Sequence, residues 1–477
     1  MVKVSQEFLD LIEKLLGEEA EAFLSTIGSY PPPVFRINTL RGEEGKILDL
    51  LREEGFSFEP IEGLGFVYQV TFEPFPLGKS FSHYLGNIYI QDPSSMVPPL
   101  VLDPKPGELV LDVSAAPGSK TTQMASLMGN QGLIVANDPS VRRSTSLSYN
   151  LMKCGVVNAV VTLLDGNRLG RLYFETFDKV LLDPPCSALG TLKSSPEVLK
   201  WWKLKRSERL SHLQWNLLVS AIKALKPGGV LVYSTCTIVP LENEALVEKA
   251  LDAYPVELES IEFKGFKVRE GLQSFEGKEF PPEMRRTMRI YPHESPGEGF
   301  FIAKLKKVLP MKRRDEDEPP LGEELPLVDR WHPSVRGFLD SLIEHFGLPE
   351  DLFEGFFFER GKELRIYPPQ AKGLRFLRYG HRGLPLAKPE RTPPPLTTWG
   401  AQFLARWAKD NLVELLEVRE LLDFLKHRPL PLPPWRKGPQ IVTFRGHPIG
   451  YGIASEGKLQ SRAKVRKEVH WPFCLGL

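Results

Sequence analysis

Two cysteines stand in short motifs that could support nucleophilic chemistry. Cys186 lies in Asp183-Pro-Pro-Cys-Ser187, and Cys236 lies in Ser234-Thr-Cys-Thr237. Each motif follows an apolar run typical of a buried parallel strand. Because the carboxyl ends of parallel strands meet at one edge of a sheet, we expect both thiols in one cleft. A lone buried cysteine usually packs as a small apolar residue, whereas two at adjacent strand ends favour chemistry.

Acidic residues end four successive apolar runs of the same region. They are Asp112, Asp138, Asp165 and Asp183. In an open α/β sheet, ligands bind at this edge, and an acid there can accept both hydroxyls of a ribose. Asp138 is placed for the ribose and Asp165 for an adenine edge. A single acid could merely cap a helix, but four in succession favour a ligand site.

The loop after the first of these strands narrows the cofactor class. It reads Ser114-Ala-Ala-Pro-Gly-Ser-Lys120, whose small residues let a ligand approach the backbone at a helix N-terminus. A Walker A loop needs glycines where Ser114 and Ser119 stand, and a dinucleotide fingerprint needs more than Gly118. S-adenosylmethionine carries a ribose and an adenine but no phosphate, so it remains as the predicted cofactor.

A thiolate beside a methyl donor suits the methylation of cytosine at C5. That carbon is a poor nucleophile until a thiolate adds to C6, after which C5 can attack the methyl group and a base must remove the C5 proton. Free cysteine has a pKa near 8.5, so the thiol needs activation. An acid such as Asp183 can hydrogen-bond the base edge and select cytosine.

These motifs resemble those of the Nop/Sun family of RNA cytosine-5 methyltransferases. The resemblance covers about residues 30–306, and supporting matches lie at 36–40, 91–96, 226–229 and 299–303. It implies that Cys236 is the nucleophile, that Cys186 assists product release as a base, and that Asp183 holds the target base. The cofactor contacts that it implies are Ser114, Ala115, Ala116, Pro117, Gly118, Ser119, Lys120, Asp138, Asp165 and Asp183.

The order of apolar runs predicts the fold class and the domains. Runs at 109–112, 133–138, 159–165, 179–183 and 229–234 alternate with helical patterns such as 207–225, which predicts a Rossmann-like parallel α/β core that 299–305 closes. A helix is expected from Ser5 to about Ile27, and further helices at 337–346 and 401–426. The predicted units are an N-terminal α+β RNA-binding or substrate domain at 1–90, the methyltransferase domain at 91–308, a linker at 309–328, a helical or mixed connecting domain at 329–428, and a small PUA-like β module at 429–477. The alternative joins the last two into one unit at 329–477.

Charge is distributed unevenly along the chain. The net charge is only +1, which excludes a polycation, yet residues 1–65 carry −7 and residues 435–470 carry +6. The C-terminal motifs are similar to those of the branch of the family that acts on bacterial 16S ribosomal RNA, whose last module is a PUA-like RNA-binding barrel. The predicted RNA contacts are Arg36, Lys193, Arg445, Lys458, Arg462, Lys464, Arg466 and Lys467.

The remaining features concern location and partners. The four cysteines have no zinc or redox spacing, and no signal peptide or long apolar run is present, so we expect a cytoplasmic protein without a metal or a membrane partner. The expected partner is structured RNA: ribosomal RNA or the 30S subunit, with transfer RNA as the alternative. A monomer is the default expectation.

Other functions stay open at this point. Asp-Pro-Pro also opens the motif of exocyclic-amino methyltransferases, although Cys186 would then replace a stacking aromatic residue and Cys236 would have no role. Cys186 alone could be the nucleophile, as in DNA cytosine-5 enzymes. The chain could also be an inactive RNA-binding assembly factor, which the presence of Cys186, Cys236 and Asp183 disfavours.

Overall fold

The N-terminal domain joins a broken helix to a small antiparallel sheet in the computed structural model, which describes residues 4–313 and 322–463. Ser5 caps the first helix, as its position predicts, by accepting from the Phe8 amide. The predicted single helix is interrupted because Gly17 has a φ of 55°. The sheet order is β2-β3-β1-β4. The elements are α1 Gln6–Leu16, α2 Ala20–Ser25, β1 Val34–Ile37, α3 Glu44–Glu53, β2 Ser57–Pro60, β3 Val67–Phe72, α4 Phe81–Leu85 and β4 Ile88–Ile90.

The central domain contains the parallel strands that the apolar runs predict. Its sheet has the order β11-β14-β15-β9-β8-β5-β6-β7-β21, where β21 is Tyr379–Arg382 of the C-terminal region, and β10 is also paired to β15. The elements are α5 Pro93–Leu102, β5 Leu109–Asp112, α6 Ser119–Leu127, β6 Leu133–Asn137, α7 Val141–Lys153, β7 Ala159–Thr162, α8 Leu169–Leu172, β8 Phe177–Leu182, α9 Leu204–Ala224, β9 Leu225–Thr235, α10 Glu244–Ala253, β10 Val256–Glu259, β11 Arg269–Glu270, β12 Ser274–Phe275, β13 Lys278–Glu279, β14 Met288–Ile290 and β15 Phe300–Lys307. The Rossmann-like α/β core is thereby confirmed.

Strand order places a crevice at the carboxyl edge of the sheet. β5 lies between β6 and β8, and these pairs are parallel, as are the pairs of β6 with β7 and of β8 with β9. The chain therefore winds in opposite directions from β5, and the loops after β5 and β8 diverge there. β15 runs antiparallel to β9, so the predicted late strand does close the sheet.

Both faces of the sheet are covered by helices, which explains the continuous apolar runs. Leu111 faces the core layer that contains Leu218 of α9, whereas its neighbour Val110 faces the layer that contains Met124 of α6 and Leu151 of α7. Successive side chains of a strand point to opposite faces, so a strand buried on both sides must be apolar throughout.

The C-terminal region differs from its prediction in two respects. The stretch 401–426 is not one helix, because Leu412–Leu415 forms a strand in which Val413 and Leu415 are buried and Glu414 is exposed. That strand pairs in parallel with Gly438–Phe444, so the expected boundary at 428 falls within one sheet. The elements are β16 Glu323–Glu324, β17 Val328–Asp329, α11 Pro333–Phe346, β18 Phe357–Arg360, β19 Leu364–Tyr367, β20 Arg375–Phe376, β21 Tyr379–Arg382, β22 Leu384–Ala387, α12 Thr398–Leu404, β23 Leu412–Leu415, α13 Val418–Leu425, β24 Leu430–Pro431, β25 Gly438–Phe444, β26 His447–Ser455 and β27 Lys458–Ser461.

Pairings across the predicted boundaries tie the C-terminal region to the rest of the molecule. β21 adds to the free side of β7, so residues 379–382 belong to the central sheet. β16, within the predicted linker, pairs with β20. The antiparallel sheet β17-β18-β19-β22 and the five-stranded sheet β23-β25-β26-β27-β24 share one apolar core with α11 and α12. This packing favours residues 329–463 as one unit.

The N-terminal domain also contacts both other parts directly. Arg41 donates from Nε to the Lys153 carbonyl at 2.9 Å and from Nη2 to the Met152 carbonyl at 2.9 Å, at the C-terminal end of α7. On the other side, Phe81 packs against Phe444 of the C-terminal sheet with ring centroids 6.0 Å apart. No helix within residues 4–313 and 322–463 is long and apolar enough to cross a membrane.

Replacing Arg41 with alanine should lower the free energy of unfolding by about 1–3 kcal/mol, because the carbonyls at the end of α7 lose a charged donor. Urea denaturation at neutral pH measures this change. Lys46→Ala on α3 is the control, since the Lys46 side chain is 67% exposed and should contribute little. Equal effects of the two substitutions would contradict the role of Arg41 at this interface.

Candidate active site

The structure brings the two predicted thiols together at the carboxyl edge of the sheet. Cys186 lies in the loop after β8 and Cys236 directly after β9, and their Sγ atoms are 3.0 Å apart. Both side chains are half-buried. The hydrogen bond with Cys236, followed by burial, raises the pKa of the Cys186 thiol well above its ordinary value. The raised pKa favours the protonated thiol form of Cys186.

An ion pair between Lys120 and Asp183 joins the loop after β5 to the loop that carries Cys186. The Lys120 Nζ lies 2.6 Å from Asp183 Oδ2 and 3.1 Å from Ser95 Oγ. Burial alone would lower the pKa of Lys120, but the attraction of Asp183 outweighs it and the pKa is raised. Cys236 adds to this attraction, so the Lys120 ammonium can stabilise a thiolate there.

Asp112 extends the cluster of charges below the ion pair. Its Oδ2 accepts from the Thr121 hydroxyl at 2.7 Å. Burial raises the pKa of Asp112 to about 6, with the nearby Asp183 contributing, while Thr121 and Lys120 oppose the shift. The positive charge of Lys120 therefore interacts favourably with both carboxylates, Asp112 and Asp183, at this edge of the sheet.

The loop at 114–120 is held by hydrogen bonds from strand β6 and from helix α7. The Ala115 amide donates to the Asn137 carbonyl at 2.7 Å, and Asn150 Nδ2 donates to the Pro117 carbonyl at 2.9 Å. Arg143 Nη2 donates to the Ala116 carbonyl at 2.7 Å. Gly118 has a φ of 108°, a conformation that a residue with a side chain rarely adopts. The loop therefore presents backbone and small side chains to the crevice.

The residues at this crevice fit a ligand with ribose hydroxyls. Asp138 Oδ1 accepts from the Ser140 amide at 2.9 Å, but its buried Oδ2 makes no hydrogen bond within the described residues, although Arg143 Nη2 is 3.3 Å away. A buried carboxylate oxygen without a donor is costly, and a ribose hydroxyl would satisfy it. Asp165 is exposed, and its Oδ1 accepts from the Asn167 amide at 3.1 Å.

Asn137 is a positioning residue of this crevice that the sequence analysis missed. Its Nδ2 donates to the carbonyls of Val113 at 3.1 Å and of Leu164 at 3.0 Å, so it ties together the ends of β5, β6 and β7. The available signal was a polar side chain at the end of a buried apolar run, directly before Asp138. Ser95, which contacts Lys120, was likewise missed.

Two of the predicted RNA contacts are wrong because their side chains are buried. Arg36 is 4% exposed and donates to Gln91 Oε1 at 3.1 Å and to Thr122 Oγ1 at 2.6 Å. Lys193 is 8% exposed, and its Nζ donates to the carbonyls of Ser295 at 2.9 Å and of Gly297 at 3.0 Å. Both cations support loops around the site, and neither can contact a phosphate in this conformation.

The other predicted RNA contacts lie in the C-terminal sheet or beyond it. Arg445 forms an ion pair with Glu53 of the N-terminal domain, so its positive charge is partly neutralised within the chain. Lys458 and Arg462 are exposed. His447, in the same sheet, is buried with its Nδ1 3.3 Å from Asn87 Nδ2. Lys464, Arg466 and Lys467 lie outside the described residues.

One group of side chains away from the thiols has the residue types of a metal site, but its carboxylates are paired with a cationic side chain. Atoms of Glu19, His293 and Glu294 lie within 4.8 Å of one another. Arg269 contacts both carboxylates, with its Nε 2.6 Å from Glu294 Oε2, and lowers the pKa of Glu294 to about 2. These ion pairs occupy the oxygens that a cation would need.

Comparison with known proteins places this architecture in one family. The family profile described as 16S rRNA methyltransferase RsmB/F matches residues 99–306, and that of the N-terminal domain of 16S rRNA methyltransferase RsmF matches residues 4–93. Ribosomal RNA small subunit methyltransferase F of Shewanella amazonensis (strain ATCC BAA-1098 / SB2B) is 34% identical over 97% of this chain and 97% of its own length.

Other relatives match 64% of the chain. A tRNA (cytosine(49)-C(5))-methyltransferase of Pyrococcus abyssi is 42% identical over 64% of this chain and 97% of its own length. Among solved structures, a methyltransferase homolog protein from Pyrococcus horikoshii is 37% identical, with a TM-score of 0.58 over 64% of this chain and 95% of its own. NSun6 from Pyrococcus horikoshii with SFG is 27% identical, with a TM-score of 0.57 over 64% and 98%.

These matches agree with the geometry of the crevice and with the Nop/Sun resemblance of the motifs. A relative at 34% identity spans nearly the whole chain, and family profiles match both the N-terminal and the central domain. The chain belongs to the RsmB/F family of 16S rRNA methyltransferases and is an S-adenosylmethionine-dependent RNA (cytosine-C5) methyltransferase.

Proposed function

We propose that this protein methylates C5 of a cytosine in 16S ribosomal RNA through a covalent bond between Cys236 and C6 of the base. The observation that carries the mechanism is the pair of thiols, 3.0 Å apart, beside the Lys120–Asp183 ion pair. One thiol can then add to the base while the other remains next to the reacting carbons. An exocyclic-amino methyltransferase would have no use for such a pair.

The crevice holds the cofactor in this proposal. Asp138 accepts from the ribose hydroxyls, Asp165 lies near the adenine edge, and residues 114–120 contact the rest of the molecule, with Asp183 nearby. When bound, S-adenosylmethionine supplies an electrophilic methyl group on a sulfonium. The buried Oδ2 of Asp138 supports this assignment, because it makes no hydrogen bond within the described residues and has only the Arg143 Nη2 contact at 3.3 Å, so it can accept from a ribose hydroxyl.

Cys236 is the nucleophile in the first step. Its thiolate, stabilised by the Lys120 ammonium, forms a bond to C6, and the electron pair of the C5–C6 double bond moves to C5. Asp183 accepts a hydrogen bond from the amino group of cytosine and so selects this base. C5 then takes the methyl group, whose former bonding pair leaves with the sulfur.

Cys186 completes the reaction by releasing the product. The largest cause of its raised pKa is the hydrogen bond with Cys236, and that bond is lost once Cys236 is attached to carbon. Cys186 can then give its proton to solvent and accept the proton of C5. The C–H electrons restore the C5–C6 double bond, the C6–S bond breaks, and the Cys236 thiolate is regenerated.

Chain coverage favours ribosomal RNA over transfer RNA as the substrate. The relative named for ribosomal RNA matches 97% of this chain, whereas the relative named for tRNA matches 64%.

We propose that the C-terminal region contacts the ribosomal RNA, as naked RNA or in the 30S subunit, through Lys458, Arg462, Lys464, Arg466 and Lys467, with Arg445 at its edge. The β-rich module at 429–477 is PUA-like in this proposal.

We also propose that the enzyme acts in the cytoplasm. It acts as a monomer in this proposal, because one chain supplies every group of the site.

Bisulfite sequencing of total RNA should detect at least one 16S ribosomal RNA cytosine that resists conversion in the wild type. Deleting the gene should make that cytosine convert, because its C5 methyl group is lost. The wild-type gene should restore its resistance, and the Cys236→Ala gene should not, because methylation requires the nucleophile. Loss of signal in transfer RNA, with 16S ribosomal RNA unchanged, would contradict the ribosomal substrate and support the alternative.

The two thiols should differ in covalent trapping. Cys236→Ala should abolish methylation and any adduct with RNA that contains 5-fluorocytosine, whereas Cys186→Ala should accumulate a covalent complex with ordinary RNA. Denaturing gels measure both. The buried Cys154, which lies outside the site, provides the control Cys154→Ala. An adduct that persists in Cys236→Ala would show that the thiols have been assigned the wrong roles.

Asp138→Ala should weaken S-adenosylmethionine binding by about tenfold to a hundredfold, the size expected when hydrogen bonds to a charged group are lost. Isothermal titration calorimetry measures the dissociation constant. Asp252→Ala, at an exposed position of α10, is the matched control and should leave it unchanged. Unaltered affinity of Asp138→Ala would remove Asp138 from the cofactor site.

A further inference from the structure

The residues that flank Cys186 are held by two fully buried side chains. Glu242 Oε2 accepts from the Ser187 amide at 2.9 Å and from Gln214 Nε2 at 2.8 Å. The same Gln214 nitrogen donates to the Pro185 carbonyl at 2.9 Å. Glu242 and Gln214 are 0% exposed. The backbone is thus bound on both sides of Cys186, and neither Glu242 nor Gln214 bonds to its thiol.

The residues that flank Cys236 are held in the same way by Asn243, the residue that follows Glu242 in the chain. Asn243 Oδ1 accepts from the Thr235 hydroxyl at 2.6 Å, and Asn243 Nδ2 donates to the Thr237 carbonyl at 2.9 Å. Asn243 is also 0% exposed. Two consecutive residues therefore hold the two cysteine segments. Glu242 bonds to the segment that contains Cys186, and Asn243 bonds to the segment that contains Cys236.

Further bonds fix Glu242 and Asn243 relative to the sheet. The hydroxyls of Ser187 and Thr237 are 2.7 Å apart, which ties the two cysteine loops together. The Tyr233 hydroxyl donates to the Glu242 carbonyl at 2.6 Å. Below, Glu244 forms a buried bidentate ion pair with Arg289, with both N–O distances 2.6 Å. Buried hydrogen bonds thus link Glu242 and Asn243 to both cysteine loops, while Glu242 Oε1 and Gln214 Oε1 make no hydrogen bond to the described residues.

We propose that Glu242 and Asn243 are positioning residues, Glu242 acting mainly on Cys186 and Asn243 mainly on Cys236. The proposal rests on the proposed function, in which Cys236 adds to the base and Cys186 releases it. Loss of the Glu242 contacts should therefore impair release, whereas loss of the Asn243 contacts should impair addition. Neither residue touches the substrate, and each acts through the backbone beside one thiol.

Glu242→Ala should accumulate covalent enzyme–RNA complex about tenfold or more over wild type, because a displaced reacting group costs one to two orders of magnitude in rate. Methyl transfer in a single turnover should remain near the wild-type rate. Asn243→Ala should instead slow adduct formation about tenfold or more without accumulation. The assay uses full-length protein, ordinary ribosomal RNA and radiolabelled S-adenosylmethionine, with denaturing gels and rapid quenching.

Glu242→Gln distinguishes a hydrogen-bonding role from a role of the charge. Its amide oxygen can still accept from Ser187 and Gln214, while the nitrogen replaces Oε1, which makes no hydrogen bond to the described part of the chain. Product release should therefore be rescued. The Glu242 carboxylate is one of the causes that raise the pKa of Cys186, so the pH profile of release should move to lower pH in this variant.

Glu244→Gln is the control for a purely structural effect. It breaks a buried ion pair of the same segment, so it should lower the melting temperature while changing adduct formation and release equally. If Glu242→Ala does not fold, Gln214→Ala removes the donor to Pro185 and tests the same side. An unchanged ratio of adduct to product in Glu242→Ala and Gln214→Ala, or an unchanged rate of adduct formation in Asn243→Ala, would overturn the proposal, provided that Cys186→Ala still traps RNA. If Cys186→Ala traps none, the proposed function itself is wrong.

Discussion

The ion pair between Lys120 and Asp183 is the interaction on which the active site depends. Asp112 and Asp183 follow adjacent parallel strands, so the fold brings two carboxylates to the same partly buried edge. Without a cation these charges would repel, and an unpaired buried charge costs about 3–5 kcal/mol. Lys120 enters from the first turn of α6 and contacts Asp183 directly, at 2.6 Å. Its position connects the cofactor loop to the loop of Cys186.

That connection gives the two halves of the crevice different electrostatic character. Towards the thiols, Lys120 places a positive charge beside Cys236, and the hydrogen bond with Cys236 and burial raise the pKa of Cys186. Towards the loop at 114–120, Asp138 retains an acceptor oxygen without a hydrogen bond among the residues described. One side therefore favours negative charge and the other presents an acceptor, and a single lysine stands between them.

Periodicity and motif spacing predicted the central domain well because both depend on local constraints. A strand buried on both faces must be apolar throughout, so Leu109–Asp112 and Leu133–Asn137 are visible in the residues alone. The convergence of Cys186 and Cys236 followed from the rule that parallel strands end at one edge. By contrast, Arg36 and Lys193 were predicted to face RNA, although both are buried. A positive charge indicates a phosphate contact only when the side chain is exposed, and exposure depends on packing across domains.

The sequence by itself determined the α/β core, the strand-end acids, the cofactor loop and the two cysteines, because each is encoded within a few consecutive residues. Tertiary structure alone decided which of them touch. Only the fold shows that Lys120 pairs with Asp183, that Asn137 ties three strand ends together, and that Glu242 and Asn243 bracket the thiols. It also adds β21 to the central sheet and β23 to the C-terminal sheet. The physical reason is that hydrogen bonds and strand pairing between distant segments depend on their relative placement, which no local pattern records.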